Sequence, residues 1–302
     1  MPMSAPERPL KDCIALVTGA SRGAGRGIAI ELGAAGAVVV VTGRSTRGRP
    51  ADSYGGILGL SGLSSAPGSI EDTAEAVTAA GGFGMAMRCD HGDPAAVNDL
   101  VERIEQEIGA IDLLVNNAWG GHESFDGRFD VPFWEQPLSH WPAMMDGGAR
   151  LHWLAARAVA PRMGRRGRGV IVATTFWDEG RVLRGNLCYD LAKAAICRLA
   201  GAMAEELRPH GVASLALSPG WMRTEWVLAA HGTDEAHWQD VPALARTESP
   251  RYLGRAVAAL AADPRVMRHS GKVLRVADLA AHYGFTDIDG RRVPAFVPEP
   301  SP

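Results

Sequence analysis

Short apolar runs alternate with segments of helical spacing along most of the chain. The apolar runs predict strands at Cys13–Thr18, Ala37–Thr42, Phe83–Arg88, Ile111–Asn116, Gly169–Thr175, Val212–Leu217 and Val273–Val276. Helical spacing predicts helices at Ala24–Ala35, Ile70–Ala80, Pro94–Ile108, His140–Met163, Leu187–Leu207 and Pro250–Ala262. The run AVVVVT at 37–42 does not alternate with polar residues, which is typical of a strand buried on both faces. The pattern therefore predicts an α/β fold, a doubly wound parallel sheet of about seven strands with helices on both faces.

Composition and charge exclude several classes of function. The net charge of −3 gives no basic surface for nucleic acid or for a membrane. We find no apolar signal core and no apolar run long enough to span a bilayer, so we expect a cytoplasmic protein without membrane contact. The four cysteines form no C-x-x-C pair and the histidines show no H-E-x-x-H spacing, so we expect reduced thiols and no metal site.

A glycine-rich loop, TGASRGAG at 18–25, joins the first predicted strand to the first predicted helix. Glycines at this place let the backbone approach a pyrophosphate, and the helix N-terminus offers free N–H groups. Arg22 lies in this loop, and Arg44 follows the second strand where an NAD-binding protein usually carries an acid. Two guanidinium groups suit the 2′-phosphate of NADP(H). The alternative is that both arginines only face solvent.

Two segments do not follow the alternation of strands and helices. Segment 45–69 is rich in Gly, Ser and Pro, and we interpret it as a surface insertion or as a flap beside the adenosine end of the cofactor. Segment 277–302 contains four prolines and the turn sequence DIDG, and it is predicted to be a wrapping tail. DIDG is similar to the start of a calcium loop but lacks the further ligands. We interpret 1–302 as one Rossmann-like domain with its core at 10–275.

The sequence YDLAK places Tyr189 and Lys193 four residues apart in a predicted helix, so both lie on one helix face. With four tyrosines and three lysines in the chain, chance gives such a pair only roughly 0.04 times. An ammonium near a phenol lowers the pKa of the hydroxyl, which allows it to donate and recover a proton near neutral pH. The pair therefore indicates acid–base chemistry, although a simple pair on a helix surface is the alternative.

Four motifs resemble those of the short-chain dehydrogenase/reductase family. They are TGASRGAG (18–25), NNA (116–118), YDLAK (189–193) and PGWMRT (219–224). Three further stretches are similar to the dehydrogenase/reductase member 1 subgroup of that family: FWEQP (133–137), SGKVL (270–274) and DLAAHYGFTDIDGRRV (278–293). The resemblance implies a homodimer or homotetramer that transfers a hydride between a nicotinamide cofactor and a carbonyl or alcohol.

The resemblance also implies roles for individual residues. Asp90 would contact the adenine, Asn116 would support the adenosine ribose region, and Thr224 would bind the nicotinamide carboxamide. Lys193 would hydrogen-bond the nicotinamide ribose. The residues expected to bind NADP(H) are Gly19, Ser21, Arg22, Gly23, Gly25, Arg44, Asp90, Asn116, Ala118, Tyr189, Lys193, Pro219, Gly220 and Thr224.

Two positions depart from the family pattern. The family has a serine, usually thirteen residues before the tyrosine, that polarises the carbonyl. Position 176 is Phe, and we assign Thr175 as the third catalytic residue, because a threonine hydroxyl can donate the same hydrogen bond. The alternative is that Thr175 only ends the strand. The family's helix asparagine, which holds a water beside the lysine, corresponds here to Gly148. We expect a water to fill the space and to bond Lys193 in the cofactor-bound protein. The alternative is that proton supply is slower or comes directly from solvent.

Tryptophans follow several predicted strands at the edge where ligands bind in this type of fold. Trp119, Trp177, Trp221 and Trp226 are predicted to line the substrate pocket, and Trp238 lies in the segment before the last predicted helix. Such a pocket favours flat or bulky hydrophobic carbonyl compounds over small polar ones. The alternative is that these rings only pack the loops.

Two functions remain. The first is an NADPH-dependent carbonyl reductase, reversible as an alcohol dehydrogenase, with Tyr189 as general acid and base. The second is a nucleotide-binding protein without turnover that acts as a redox sensor or scaffold. Loss of the helix asparagine at Gly148 favours the second, and the Tyr189–Lys193 pair favours the first.

Overall fold

A computed structural model describes residues 8–49, 68–123, 131–176, 180, 182–183 and 185–297. Within these residues, seven parallel strands form one sheet in the order β3-β2-β1-β4-β5-β6-β7. The strands are β1 (Ile14–Val17), β2 (Val38–Gly43), β3 (Phe83–Arg88), β4 (Leu113–Asn116), β5 (Gly169–Thr174), β6 (Val212–Ser218) and β7 (Val273–Arg275). The predicted doubly wound parallel sheet is confirmed, and no predicted strand end is displaced by more than two residues.

The run of valines in β2 explains why the sheet carries helices on both faces. Val39, Val40 and Val41 are fully buried. Val39 and Val41 belong to one apolar core, and Val40 belongs to a second core on the opposite face. Because successive side chains of a strand point to opposite faces, an uninterrupted apolar run requires a covering layer on each side.

Nine α-helices flank the sheet within the described residues. They are α1 (Gly23–Ala34), α2 (Ile70–Ala79), α3 (Pro94–Glu107), α4 (His140–Met144), α5 (Arg150–Arg166), α6 (Leu187–Leu207), α7 (Glu225–Ala230), α8 (Pro250–Ala262) and α9 (Val276–Tyr283). Residues of α1, α2 and α8 pack on one face, and residues of α3 and α5 pack on the other. No helix in this part of the chain is long and apolar enough to cross a membrane.

The predicted helix His140–Met163 is not one continuous α-helix. It begins as α4, changes to a π-helix at Met145–Ala149, and continues as α5 to Arg166. A π-helical turn inside an α-helix costs stability and commonly marks a functional site. The two adjacent glycines at 147 and 148 lie in this π-helical turn.

Side chains that cap helices explain several helix starts. Ser69 accepts a hydrogen bond from the backbone N–H of Asp72 at 3.1 Å, which starts α2. The Asp93 side chain accepts hydrogen bonds from the backbone N–H groups of Ala95 and Ala96 and so starts α3, whose first residue is Pro94. Ser249 occupies the N-cap position of α8 as predicted, but its hydroxyl makes no cap hydrogen bond and donates to Asp287 instead.

The two segments that we could not place in the alternation have different outcomes. Residues 50–67 of the expected insertion at 45–69 lie outside the described residues. The expected wrapping tail at 277–302 is wrong in its first part, because α9 extends to Tyr283. The sequence VADLAAHY contains good helix formers, and the prolines that suggested an irregular tail come after them.

Candidate active site

A crevice with a volume of about 1210 Å³ opens at the carboxyl ends of the strands. The strand order reverses between β1 and β4, and ligands of open α/β sheets bind at such a point. The predicted site residues that line the crevice are Gly19, Ser21, Arg22, Gly23, Arg44, Asp90, Ala118, Trp119, Thr175, Tyr189, Lys193, Pro219, Gly220, Trp221, Thr224 and Trp226. One cavity therefore joins the glycine loop, the tyrosine–lysine pair and three of the predicted tryptophans.

Gly25 and Asn116 were predicted to bind the cofactor, but neither lines the crevice. A Cβ atom at Gly25 would lie 2.3 Å from the Gly19 carbonyl oxygen, so this glycine allows the loop to pack on itself. Asn116 is fully buried, and its Nδ2 donates to the His152 carbonyl at 3.0 Å. Its neighbour Asn117 lines the crevice and donates to the Gly19 carbonyl at 3.0 Å. The NNA motif therefore lies in a loop that lines the crevice, but the asparagine that lines it is Asn117 and not the predicted Asn116.

The glycine loop presents backbone N–H groups at the N-terminus of α1. Gly19 and Gly23 have φ values of +65° and +53°, which glycine adopts without steric cost. The N–H of Gly23 donates to a carboxylate oxygen of Glu225 at 2.9 Å. An anionic oxygen is therefore already accommodated where a helix N-terminus favours a phosphate, so these residues fit a dinucleotide.

Arg22 and Arg44 lie at the same end of the crevice, beside the end of β2. Arg22 donates to the Ser45 hydroxyl at 3.0 Å and to the Gly68 carbonyl at 3.1 Å. Arg44 forms an ion pair with Glu123, which comes from the loop after β4. Both guanidinium groups thus carry hydrogen bonds to oxygen atoms at the expected adenosine end.

Tyr189 and Lys193 lie on consecutive turns of α6, with the Lys193 Nζ 5.4 Å from the centroid of the Tyr189 ring. Burial raises the pKa of Tyr189 to about 12, and the nearby Asp190 adds to that shift. Burial lowers the pKa of Lys193 to about 7. We expect the ammonium, together with the nicotinamide cation of the oxidised cofactor, to depress the pKa of Tyr189, but in the protein alone burial has the larger effect on that pKa. Removal from water disfavours the charged form of both groups and outweighs their attraction.

The lowered pKa of Lys193 predicts a pH-dependent stability. The lysine titrates near pH 7 in the folded chain and near 10.5 when unfolded. Between these pH values the unfolded state binds a proton that the folded state lacks, so the free energy of unfolding rises with pH. The slope from this one group is at most about 1.4 kcal/mol per pH unit. Urea unfolding at pH 7, 8 and 9 should show the rise.

Two variants separate this contribution from the rest of the protein. Lys193→Met should lose the rise, so the free energy of unfolding of wild type minus that of the variant should increase with pH. Lys272→Met, which replaces an exposed lysine, should follow the wild-type profile. Parallel profiles for wild type and Lys193→Met would contradict the assignment.

Trp119 fills the space that we expected a water to occupy. A Cβ atom at Gly148 would lie 2.4 Å from Cζ3 of the Trp119 ring, so the indole lies directly on the glycine. The Lys193 Nζ lies 3.6 Å from the centroid of the same ring. In this structure an aromatic face therefore lies between Lys193 and Gly148, where we expect a water in the cofactor-bound protein.

The Thr175 hydroxyl is committed to α6 in this structure. Its Oγ1 donates to the Lys193 carbonyl at 2.9 Å and lies 3.4 Å from the Cys197 Sγ. A hydroxyl has one proton, so Thr175 would have to give up its bond to the Lys193 carbonyl before it could donate to a substrate carbonyl. Thr174 also lines the crevice, and its hydroxyl lies 3.3 Å from the Asn117 side-chain oxygen.

Several aromatic side chains line the crevice. Trp221 and Trp226 line it as predicted, while Trp177 lies outside the described residues. Phe176 and Phe296 also line it, with ring centroids 6.4 Å apart. Sequence reasoning missed these two phenylalanines, because nothing local in the tail shows where Phe296 lies.

A buried arginine joins the segment after β6 to the tail. The side chain of Arg223 is fully buried and pairs with Asp287 at 3.3 Å, Asp289 at 3.4 Å and Glu235 at 2.9 Å. Its guanidinium lies 4.3 Å from the ring centroid of Trp238, which packs under this segment and does not line the crevice. The two aspartates of DIDG therefore hold the tail against the crevice.

Comparison with known proteins agrees with the geometry. A family model described as enoyl-(acyl carrier protein) reductase matches residues 59–277. Dehydrogenase/reductase SDR family member 1 from Mus musculus is 37% identical over 291 residues, which cover 94% of this chain and 86% of that protein. The chain belongs to the short-chain dehydrogenase/reductase family.

Further relatives within the short-chain dehydrogenase/reductase family support the same conclusion. The 3-oxoacyl-acyl-carrier-protein reductase FabG of Escherichia coli (strain K12) is 30% identical over 251 residues, covering 83% of this chain and 90% of that protein. A crystal structure of a short chain dehydrogenase from Mycobacterium thermoresistibile has a TM-score of 0.75 at 26% identity, covering 95% of this chain and 94% of that one. As a member of this family, the chain is an oxidoreductase that transfers a hydride with a nicotinamide cofactor.

Proposed function

We propose that this protein is an NADPH-dependent carbonyl reductase, reversible as an alcohol dehydrogenase, that acts on hydrophobic ketones and secondary alcohols. The observation that carries the proposal is that Tyr189, Lys193 and the glycine loop open into one crevice. A binding protein has no need of a buried phenol beside a buried ammonium. The reductase FabG among the relatives acts on a 3-oxoacyl group, which is also a ketone.

The proposed mechanism assigns one proton to Tyr189. The bound cofactor would supply the hydride to the carbonyl carbon. The Tyr189 hydroxyl donates its proton to the carbonyl oxygen as negative charge develops there, which yields the alcohol and a phenolate. The Lys193 ammonium stabilises that phenolate, because an opposite charge in a buried site favours the ionised form. In the oxidation direction the phenolate takes the proton back.

The cofactor preference would depend on Arg44, with Arg22 beside it. The Arg44–Glu123 ion pair supports this role, because it places a guanidinium opposite anionic oxygen at the adenosine end. A 2′-phosphate can replace the carboxylate as a bidentate partner. The 2′-hydroxyl of NADH offers no charge, so the gain applies to NADPH alone.

Arg44→Asp should shift the preference toward NADH. Loss of a charge-assisted contact and added repulsion should lower kcat/KM with NADPH by roughly 10²-fold, with little change for NADH. Initial rates with both cofactors measure the ratio. Arg103→Asp, which makes the same change of charge on the exposed face of α3, serves as the control. An unchanged ratio in Arg44→Asp would show that this arginine does not bind the phosphate.

The substrate is proposed to be a bulky or flat hydrophobic ketone. Trp221, Phe176 and Phe296 line the same crevice as Tyr189, and apolar contact area from such rings favours large apolar ligands. NADPH oxidation against a panel of ketones and diketones tests the activity and the substrate class together. Best turnover of acetone-sized or sugar-like compounds would contradict the substrate class.

A nucleotide-binding sensor or scaffold without turnover is the second candidate. The observation that favours it is the Thr175 hydroxyl, which donates to the Lys193 carbonyl and not into the crevice. Such a protein would bind NADPH and oxidise it with no ketone of the panel. The assay therefore separates the two candidates, whereas NADPH titration would not.

We also propose that the protein is cytoplasmic and forms a homodimer or homotetramer. Four free thiols at Cys13, Cys89, Cys188 and Cys197 suit a reducing compartment. Trp153 on α5 and Leu187 and Leu191 on α6 are exposed and apolar, which suits a contact between copies. Light scattering of the purified protein measures the assembly.

A further inference from the structure

The indole of Trp119 contacts both members of the proposed catalytic pair. Its ring centroid lies 3.6 Å from the Lys193 Nζ, and it makes an edge-to-face contact with the Tyr189 ring at a centroid distance of 5.7 Å. An ammonium over an aromatic face is attracted by the ring quadrupole, most strongly over tryptophan and away from water. The contact involves the charged form of the lysine, so it bears on how that group works.

Two glycines and a histidine form a seat for this indole. A Cβ atom at Gly148 would lie 2.4 Å from the ring, and a Cβ atom at Gly121 would lie 2.7 Å from its other edge. The Trp119 Nε1 donates to His122 Nδ1 at 3.2 Å, which holds the ring orientation. We call Gly121, His122 and Gly148 the tryptophan seat.

The π-helix brings the tryptophan seat together. The N–H of Gly120 donates to the Gly147 carbonyl at 2.6 Å, which joins the loop after β4 to the π-helical turn. The indole thus lies between that loop and the helix, and any side chain at Gly148 would displace it. The π-helical turn and Gly148 together determine the position of Trp119.

We propose that Trp119 is a positioning residue for Lys193, and that the tryptophan seat exists to place the indole face against the lysine ammonium. The aromatic face favours the charged form of the lysine and holds its ammonium group against the indole. The kinetic part of this inference rests on the proposed reductase function. The contact itself does not.

The other titratable groups around Lys193 do not supply the same effect. His122, in the seat, and His152, on α5, have pKa values lowered to about 4 and about 3, chiefly by burial, so both are neutral near pH 7. Cys197 lies on the same helix, and burial raises the pKa of its thiol. Tyr189 is also neutral in this range. The indole therefore faces an ammonium surrounded by neutral groups.

Nuclear magnetic resonance of the lysine side chains tests the contact without any substrate. The chain contains only three lysines, at 11, 193 and 272, so a protein labelled with ¹³C at the lysine ε-carbon gives few signals. Protons above an indole face resonate upfield because of the ring current, and Lys193→Met identifies the signal. We expect an upfield Lys193 signal whose titration midpoint falls by about one pH unit in Trp119→Leu.

Gly148→Ala tests the tryptophan seat while it retains the indole. The added Cβ must displace Trp119, so this variant should lose the upfield shift just as Trp119→Leu does. Gly164→Ala is the matched control, because it changes a helical glycine of α5 whose Cβ would meet its nearest atom at 3.7 Å. A Lys193 signal at an ordinary position in wild type, or one unchanged in Gly148→Ala and Trp119→Leu, would overturn the proposal.

The kinetic arm distinguishes this inference from the proposed function. In an active reductase, Trp119→Leu should lower kcat about tenfold and move the high-pH limb of the kcat profile down by about one unit, while Trp119→Phe should recover part of the loss. If no ketone is reduced but the upfield signal behaves as expected, the function fails and the positioning contact stands. If ketones are reduced and the pH limb does not move in Trp119→Leu, the positioning role fails.

Discussion

Tyr189→Phe should abolish most ketone reduction and leave NADPH binding unchanged. The variant retains the ring, its edge contact with Trp119 and its place on α6, and it removes only the hydroxyl proton. General acid catalysis by a positioned side chain contributes about 10²–10⁴-fold, so kcat/KM should fall by that factor. Stopped-flow or steady-state NADPH oxidation gives the rate, and quenching of protein fluorescence gives the dissociation constant.

A second tyrosine serves as the control for this substitution. Tyr283 is the last residue of α9 and does not line the crevice, and its hydroxyl donates to Asp263 at 2.6 Å. Tyr283→Phe removes this hydroxyl. It should cost about 1 kcal/mol of stability and no activity. Activity of Tyr189→Phe within about tenfold of wild type would exclude Tyr189 as the general acid.

Lys193→Met should damage both turnover and cofactor binding. The change removes the cation that stabilises the Tyr189 phenolate, and loss of one such stabilising group costs about 10²–10³-fold in kcat. The proposed hydrogen bond from Lys193 to the nicotinamide ribose would also be lost, which should weaken NADPH binding by roughly tenfold or more. Steady-state kinetics and NADPH titration measure the two effects separately.

Two further variants sharpen this prediction. Lys193→Arg should remain impaired, because a planar guanidinium does not fit the place of a compact ammonium between the Trp119 face and the Tyr189 ring. Lys272→Met should behave like wild type, since Lys272 is exposed and does not line the crevice. Full NADPH affinity in Lys193→Met would show that the lysine does not contact the cofactor.

The parts of the molecule that sequence predicts well are those decided by local pattern. The valine run of β2 requires burial on both faces, and the Ala- and Leu-rich stretch of α6 has helical spacing throughout, so both were located correctly. The Tyr189–Lys193 pair follows directly, because residues four apart share a helix face. The glycine loop was recognised because its position between β1 and α1 is itself part of the signal.

The parts that sequence did not predict depend on contacts between distant segments. Which of Asn116 and Asn117 faces the crevice depends on how β4 pairs with β1, where Val115 lies beside Val17. The place of Phe296 depends on ion pairs far from it in the chain. The adjacent glycines at 147 and 148 leave room for a close approach, but the approaching residue, Trp119, comes from another loop. The residues next to Gly148 in the sequence do not indicate which distant residue will contact it.

The ion pairs of the buried Arg223 connect the part of the crevice lined by Phe296 to a segment far away in sequence. Arg223 and Asp287 are 64 residues apart in sequence, and α8, β7 and α9 lie between them along the chain. A partial opening that releases the tail would take Asp287 and Asp289 away from the buried Arg223 guanidinium, which is costly enough to make the loss cooperative. The same opening would remove Phe296 from the crevice and leave the glycine loop and α6 in place. We therefore expect ketone binding to be lost at a lower denaturant concentration than nucleotide binding.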